Sequence, residues 1–191
     1  MSETANDPTF SRLSAALGSL PPRGLPPVER WNPPHCGRID MRIAADGTWY
    51  HEGTPIRRPA LVKLFASILR REPDGEIVLV TPVERVGITV EDAPFVAVEM
   101  AVEGEGESRR IGFRTNVDDL VSVDDDHPLR FEQGADGGLR PYLHVRRDLW
   151  ALVSRSLTYD LVGMGEERMI DGQSWFGLAA AGRFFRIAPA A

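Results

Sequence analysis

The segment Pro26-Pro27-Val28-Glu29-Arg30-Trp31-Asn32-Pro33-Pro34-His35-Cys36-Gly37 runs directly into Ile39-Asp40-Met41-Arg42-Ile43. Proline fixes φ and donates no hydrogen bond, so the first part reads as a stiff strap laid over a surface. In the second part Ile39, Met41 and Ile43 alternate with Asp40 and Arg42, the pattern of a strand with one buried face. Asp46-Gly47 then predicts a hairpin turn into Thr48-Trp49-Tyr50-His51.

Working outward, Pro59 suits a helix first turn, and Leu61, Leu64, Phe65, Ile68 and Leu69 mark one apolar face behind it. That helix runs out near Pro73-Asp74-Gly75. Strand patterns follow over 77–81, 86–90, 95–102 and 110–115, with breaks at Glu91-Asp92-Ala93-Pro94 and Glu103-Gly104-Glu105-Gly106-Glu107. Upstream, Phe10, Leu13, Leu17 and Leu20 predict a short amphipathic helix over 9–20. The later half echoes the earlier one. Ala135-Asp136-Gly137 mirrors Ala45-Asp46-Gly47, and Arg146-Arg147 precedes a helix-like set (Leu149, Leu152, Val153, Leu157) as Arg57-Arg58 precedes Leu61. A last strand pair, 174–178 and 183–187, closes the chain. The reading is α+β, with two similar hairpin-helix-hairpin units. The expected boundaries are 1–24 for a helical extension, 25–92 for a first domain and 93–191 for a second.

At 191 residues the chain is long enough for one sizeable core or two small ones. A net charge of −6 argues against general nucleic-acid binding, which needs a basic surface to neutralise phosphate. Cys36 is the single cysteine, so no intrachain disulfide is expected and a reducing compartment is the natural home. The start is polar and acidic, without the apolar core of a secretion signal, and no apolar run reaches the roughly 18 residues of a membrane span. The expected location is the cytoplasm, away from membranes.

Several stretches taken together carry a resemblance. They are Glu29-Arg30-Trp31-Asn32-Pro33-Pro34 with Gly37 and Asp40; Asp46-Gly47-Thr48-Trp49 with Gly53-Thr54-Pro55-Ile56; Leu79-Val80-Thr81-Pro82-Val83-Glu84; Val90-Glu91-Asp92-Ala93-Pro94-Phe95; and Arg114-Thr115-Asn116. Over roughly residues 25 to 190 the chain resembles a bacterial domain-of-unknown-function family, number 1285. The resemblance implies a duplicated α+β architecture whose later domain is superficially like a pleckstrin-homology barrel. It also implies a small, nucleotide-based ligand bound between the domains in signalling, and no known enzymatic activity. The resemblance further implies a terminal hairpin that often carries a Trp-Ser pair before its glycine. Ala179-Ala180-Ala181-Gly182 stands there in this chain.

The strap-and-strand group of Arg30, Trp31, His35, Asp40 and Arg42 is the leading candidate site, because an aromatic face stacks a base and arginine meets phosphate. The structural alternative is that Trp31 anchors the strap and Asp40 pairs with a neighbouring arginine. Thr81 and Glu84 fit a groove wall that hydrogen-bonds a sugar or base edge; proline and charge are also ordinary turn material. A ligand-facing role for Asp92, Thr115 and Asn116 is implied by the resemblance, whereas spacing alone suggests turn caps. Arg146 is a candidate for an anionic group. His35 beside Cys36 lacks the geometry of an activated nucleophile, and the four histidines lack paired metal-ligand spacing. No cofactor and no metal is expected. Three functions are carried forward: a non-enzymatic ligand-binding or adaptor protein, a scaffold that accepts a peptide or protein partner, and a hydrolase or lyase with Asp40, Glu84 or Asp92 as base.

Overall fold

The structure, a computed structural model, describes residues 24–190; the helix expected over 9–20 lies outside them. The chain divides between Asp92 and Ala93 into two compact units.

The first unit holds strands β1 (His35–Ile43), β2 (Trp49–His51) and β3 (Thr54–Pro55), helix α1 (Pro59–Ser67), then β4 (Leu69–Arg71), β5 (Ile77–Val80) and β6 (Arg85–Val90). They form one curled sheet ordered β3-β2-β1-β6-β5-β4, antiparallel except where β1 lies parallel to β6. Two three-stranded meanders are thus joined through their first and last strands, and α1 makes the long connection such a joint requires. Pro59 opens α1, which ends sooner than its apolar face suggests. Val80 N–H donates to Ile68 O at 3.0 Å and draws the chain back into the sheet, so Leu69 begins β4. Met41, Ile43, Trp49, Phe65, Ile68, Leu69, Leu79, Val86 and Ile88 fill the core, with the Trp49 and Phe65 rings stacked at 6.2 Å.

The strap is ordered. Val28–Arg30 forms a 3-10 turn, with Val28 fully buried. The Arg70 guanidinium on β4 donates to Val28 O at 2.8 Å and to Trp31 O at 2.7 Å, and its other side meets Glu72. Arg85 N–H donates to Pro34 O at 3.1 Å, which hands the strap over to β1.

The second unit holds β7 (Phe95–Glu103), β8 (Arg110–Thr115), β9 (Leu120–Ser122), β10 (Leu129–Gln133), β11 (Leu139–Arg146), β12 (Leu149–Val153), α2 (Arg155–Gly163), β13 (Glu166–Ile170), β14 (Gln173–Ala180) and β15 (Arg183–Pro189). Its larger sheet runs β10-β11-β12-β7-β8-β9, with β12 parallel to β7, and β13-β14-β15 form a separate three-stranded sheet. Counted from the start of each unit, both six-stranded sheets have the order 3-2-1-6-5-4. The protein is therefore a duplicated α+β protein, each unit a six-stranded curled sheet with a helix.

The repeat runs in a different register from the one the turns suggested. Asp136-Gly137 joins the fourth and fifth strands of its sheet, so its counterpart is Asp74-Gly75 rather than Asp46-Gly47. All three turns share one geometry: an i to i+3 bond, glycine at positive φ, and an aspartate side chain that accepts the second following N–H. This is a type I turn followed by a left-handed residue, used wherever a three-residue loop joins strands. The helix-like set at Leu149 to Leu157 is also corrected. Arg147 and Asp148 both have positive φ, the signature of a two-residue hairpin turn, and they send Leu149–Val153 into β12. β12 lies between β11 and β7, and such interior strands read as near-continuous apolar runs. The helix begins later, at Arg155.

Candidate functional site

Trp31, Asp40 and Thr81, which the sequence placed together, are spread along the first sheet. The Thr81 turn adjoins the start of β1, since Val80 pairs with Arg85 and Arg85 with His35. Asp40 lies five residues further on, roughly 16 Å at strand rise. Thr81 is buried and its hydroxyl is engaged by its own turn: it donates to Glu84 O at 3.1 Å and accepts from Glu84 N–H at 3.2 Å. Glu84 is buried in that turn, Asp92 is half-buried after β6, and Arg30 is exposed at the end of the 3-10 turn. Trp31 is half-buried with its carbonyl on Arg70.

The outer face of the first sheet does gather a continuous polar surface. Arg42 pairs across the strands with Tyr50 on one side and Thr89 on the other. Its guanidinium lies 4.2 Å over the Tyr50 ring and is held by Glu91, which also accepts Ala45 N–H at 3.0 Å. Arg38 is held by Glu76 and donates to Ile88 O at 2.7 Å. Glu76 reaches His35 Nε2 as well, at 3.0 Å. Gly37 N–H donates to His35 Nδ1 at 3.1 Å, so the ring proton sits on Nε2 and His35 donates to Glu76. Gly87 makes this network possible. A Cβ there would strike the Glu76 carboxylate and the Arg38 stem, so glycine leaves the path across β6 open. Beside the network is an open depression of about 400 Å³, lined by Arg38, Asp74, Glu76, Ile88 and Thr89 among others. Asp46, in the hairpin turn next to Arg42, is held below its ordinary carboxyl value. The chief cause is the Thr48 N–H bonded to it, then the Thr48 hydroxyl, with a smaller contribution from the Arg42 charge.

Arg38, Glu76 and Glu91 escaped the sequence reading. The one signal for Glu76 was its position directly after an Asp-Gly turn, which returns the chain to the neighbouring strand. Cys36 is exposed and its thiol points to Pro34 O at 3.7 Å, with His35 turned to Glu76 instead. Among the described residues no three His, Cys, Asp or Glu side chains converge to hold a metal ion.

In the second unit the structure does bring Thr115, Asn116 and Arg146 together. Thr115 is fully buried, and its hydroxyl accepts from Val117 N–H at 3.3 Å and Asp119 N–H at 3.1 Å. Asn116 bonds both backbone groups of Val96, its N–H to Val96 O at 2.8 Å and its side-chain oxygen to Val96 N–H at 3.0 Å. Arg146 is paired with Asp119 and lies 4.7 Å over the Phe95 ring. The turn after β8 thus positions Asp119, and Asp119 with Phe95 fixes the guanidinium. Nearby, Arg114 grips Glu99 and Asp118, which lowers the Glu99 carboxyl and raises the guanidinium well above its usual range.

These two curled sheets define a duplicated α+β protein with polar sheet faces. Residues 26–93 match the family described as domain of unknown function DUF1285, N-terminal domain, and residues 94–187 match its C-terminal domain. The chain belongs to the DUF1285 family. The crystal structure of a DUF1285 family protein from Silicibacter pomeroyi DSS-3 is 48% identical, covering 93% of this chain and 95% of that one, with a TM-score of 0.84. One from Shewanella baltica OS155 is 31% identical over 65% of this chain and 91% of its own, with a TM-score of 0.50. No curated protein matches the sequence. No described helix is long and apolar enough to cross a membrane.

Proposed function

We infer that the protein is a non-enzymatic ligand-binding or adaptor protein in bacterial signal transduction, and that the outer face of the first sheet takes a small nucleotide-like ligand. The observation that carries this reading is Arg42 stacked 4.2 Å over Tyr50, with Arg38 presented four residues earlier on the same strand. Glu91 and Glu76 fix the two guanidiniums before a ligand arrives, which reduces the side-chain entropy lost on binding. A planar ring extends the Arg42–Tyr50 stack, a phosphate meets Arg38, and Asp40 and Thr89, both exposed, supply hydrogen-bonding groups for a sugar or base edge.

A thermal-shift screen with mononucleotides and cyclic dinucleotides tests this. A ligand at about a hundredfold over its Kd stabilises the wild type by roughly 2.7 kcal/mol. Arg42→Ala and Gly87→Ala, the second of which pushes Glu76 off Arg38, abolish that stabilisation while leaving the unliganded protein folded. A panel with no effect on the wild type, or an equal effect on both variants, contradicts the assignment.

A further inference from the structure

We propose that the edge of β9, which has no neighbouring strand on its outer side among the described residues, docks an extended, basic segment of a partner protein as an added strand. β9 is the last strand of its sheet. Thr115 N–H donates to Asp119 O at 2.9 Å and Val123 N–H donates to Ile111 O at 2.8 Å, so every second residue of this stretch faces β8. By that alternation the N–H and C=O groups of Leu120 and Ser122 point away from the sheet, the pattern an incoming strand pairs with. Leu120 is 80% exposed at this edge.

Leu120 and Ser122 stand opposite Arg114 and Gly112, on one face of the sheet. That face carries a depression of about 290 Å³ whose lining includes Ala101, Gly112, Leu120 and Ser122. A Cβ on Gly112 would meet nothing within 4 Å, so the floor is open to a side chain from an added strand.

Charge selects the occupant. Residues 117–128 contain five aspartates and neither lysine nor arginine. Glu99 adds a sixth carboxylate to this acidic rim, in which Arg114, Arg146 and Arg183 form ion pairs with Glu99, Asp118, Asp119 and Asp125. A second copy of this chain is disfavoured. Antiparallel pairing of two β9 strands about Val121 sets Asp118 opposite Asp124, and like charges directly opposite are destabilising. A segment alternating arginine or lysine with β-branched residues satisfies the acidic flanks, the outward backbone groups and the depression together.

The probe is a blocked octapeptide that alternates arginine with valine, followed by fluorescence anisotropy on the full chain. Two control peptides carry glutamate for arginine, or N-methyl groups on the edge-facing amides. Binding is expected for the first peptide and about tenfold or more weaker for each control. Ser122→Pro, which removes an outward N–H, and Gly112→Leu, which fills the depression, each weaken it by a similar factor. If Ser122→Pro fails to fold, Gly112→Leu carries the comparison. Three outcomes overturn the proposal: no binding at about 1 mM peptide, equal binding of the N-methylated peptide, or a self-associated protein that Ser122→Pro converts to monomer.

Discussion

Asp46 shows how one side chain fixes a hairpin and why its charge matters. The carboxylate accepts Thr48 N–H at 2.9 Å, and its pKa lies below the ordinary 3.8 in the folded protein. A depressed carboxyl stabilises the fold above its unfolded value and loses that contribution as pH falls through the folded one. Asp46→Asn keeps an acceptor oxygen but no charge, so the variant is less stable than wild type at pH 7 by a margin that closes below about pH 4. Urea denaturation at several pH values measures this; a margin independent of pH contradicts the electrostatic account. The same scale explains what sequence reading missed. Asp46-Gly47 announces a turn by composition, whereas Arg147-Asp148 is a turn of two non-glycine residues at positive φ, which composition disguises. The polar roles of Thr81 and Thr115 were equally hidden, because each hydroxyl folds back on its own turn.

At the scale of elements, the strap was legible and its fastening was not. Four prolines between residues 26 and 34 hold an extended path, but the fastening comes from Arg70, 39 residues beyond Trp31. Arg70→Ala removes two charge-assisted bonds to strap carbonyls and is expected to cost about 2–3 kcal/mol. Chemical denaturation reads the loss, and limited proteolysis reads faster cleavage between Gly24 and Pro34. Arg70→Lys recovers part of both. Unchanged proteolysis in Arg70→Ala means that the buried Val28, rather than the guanidinium, holds the strap. Strand patterns with clean alternation, such as β1 and β8, were readable, as were the hairpin tips at Asp46-Gly47 and Asp136-Gly137. β9 and β13 were not, since three residues ending in Asp-rich turn or five mostly polar ones carry little periodic signal.

Across the whole molecule, the duplication was visible as a repeated rhythm of hairpins, while its register is set by long-range strand pairing. Two meanders joined through a parallel pair cannot be told from sequence, because the pairing of first and sixth strands is a long-range choice. The candidate site was legible to the extent that His35, Asp40 and Arg42 do lie on one strand. The carboxylates that hold it come from β5's entry and β6's exit, far off in sequence. A backbone-amide NMR titration of the labelled protein with the nucleotide panel is the most direct measurement of the functional claim. Shifts confined to residues 38–42, Tyr50, Glu76 and 87–89 are the predicted result. Shifts confined to other residues, or none at saturating ligand, contradict it.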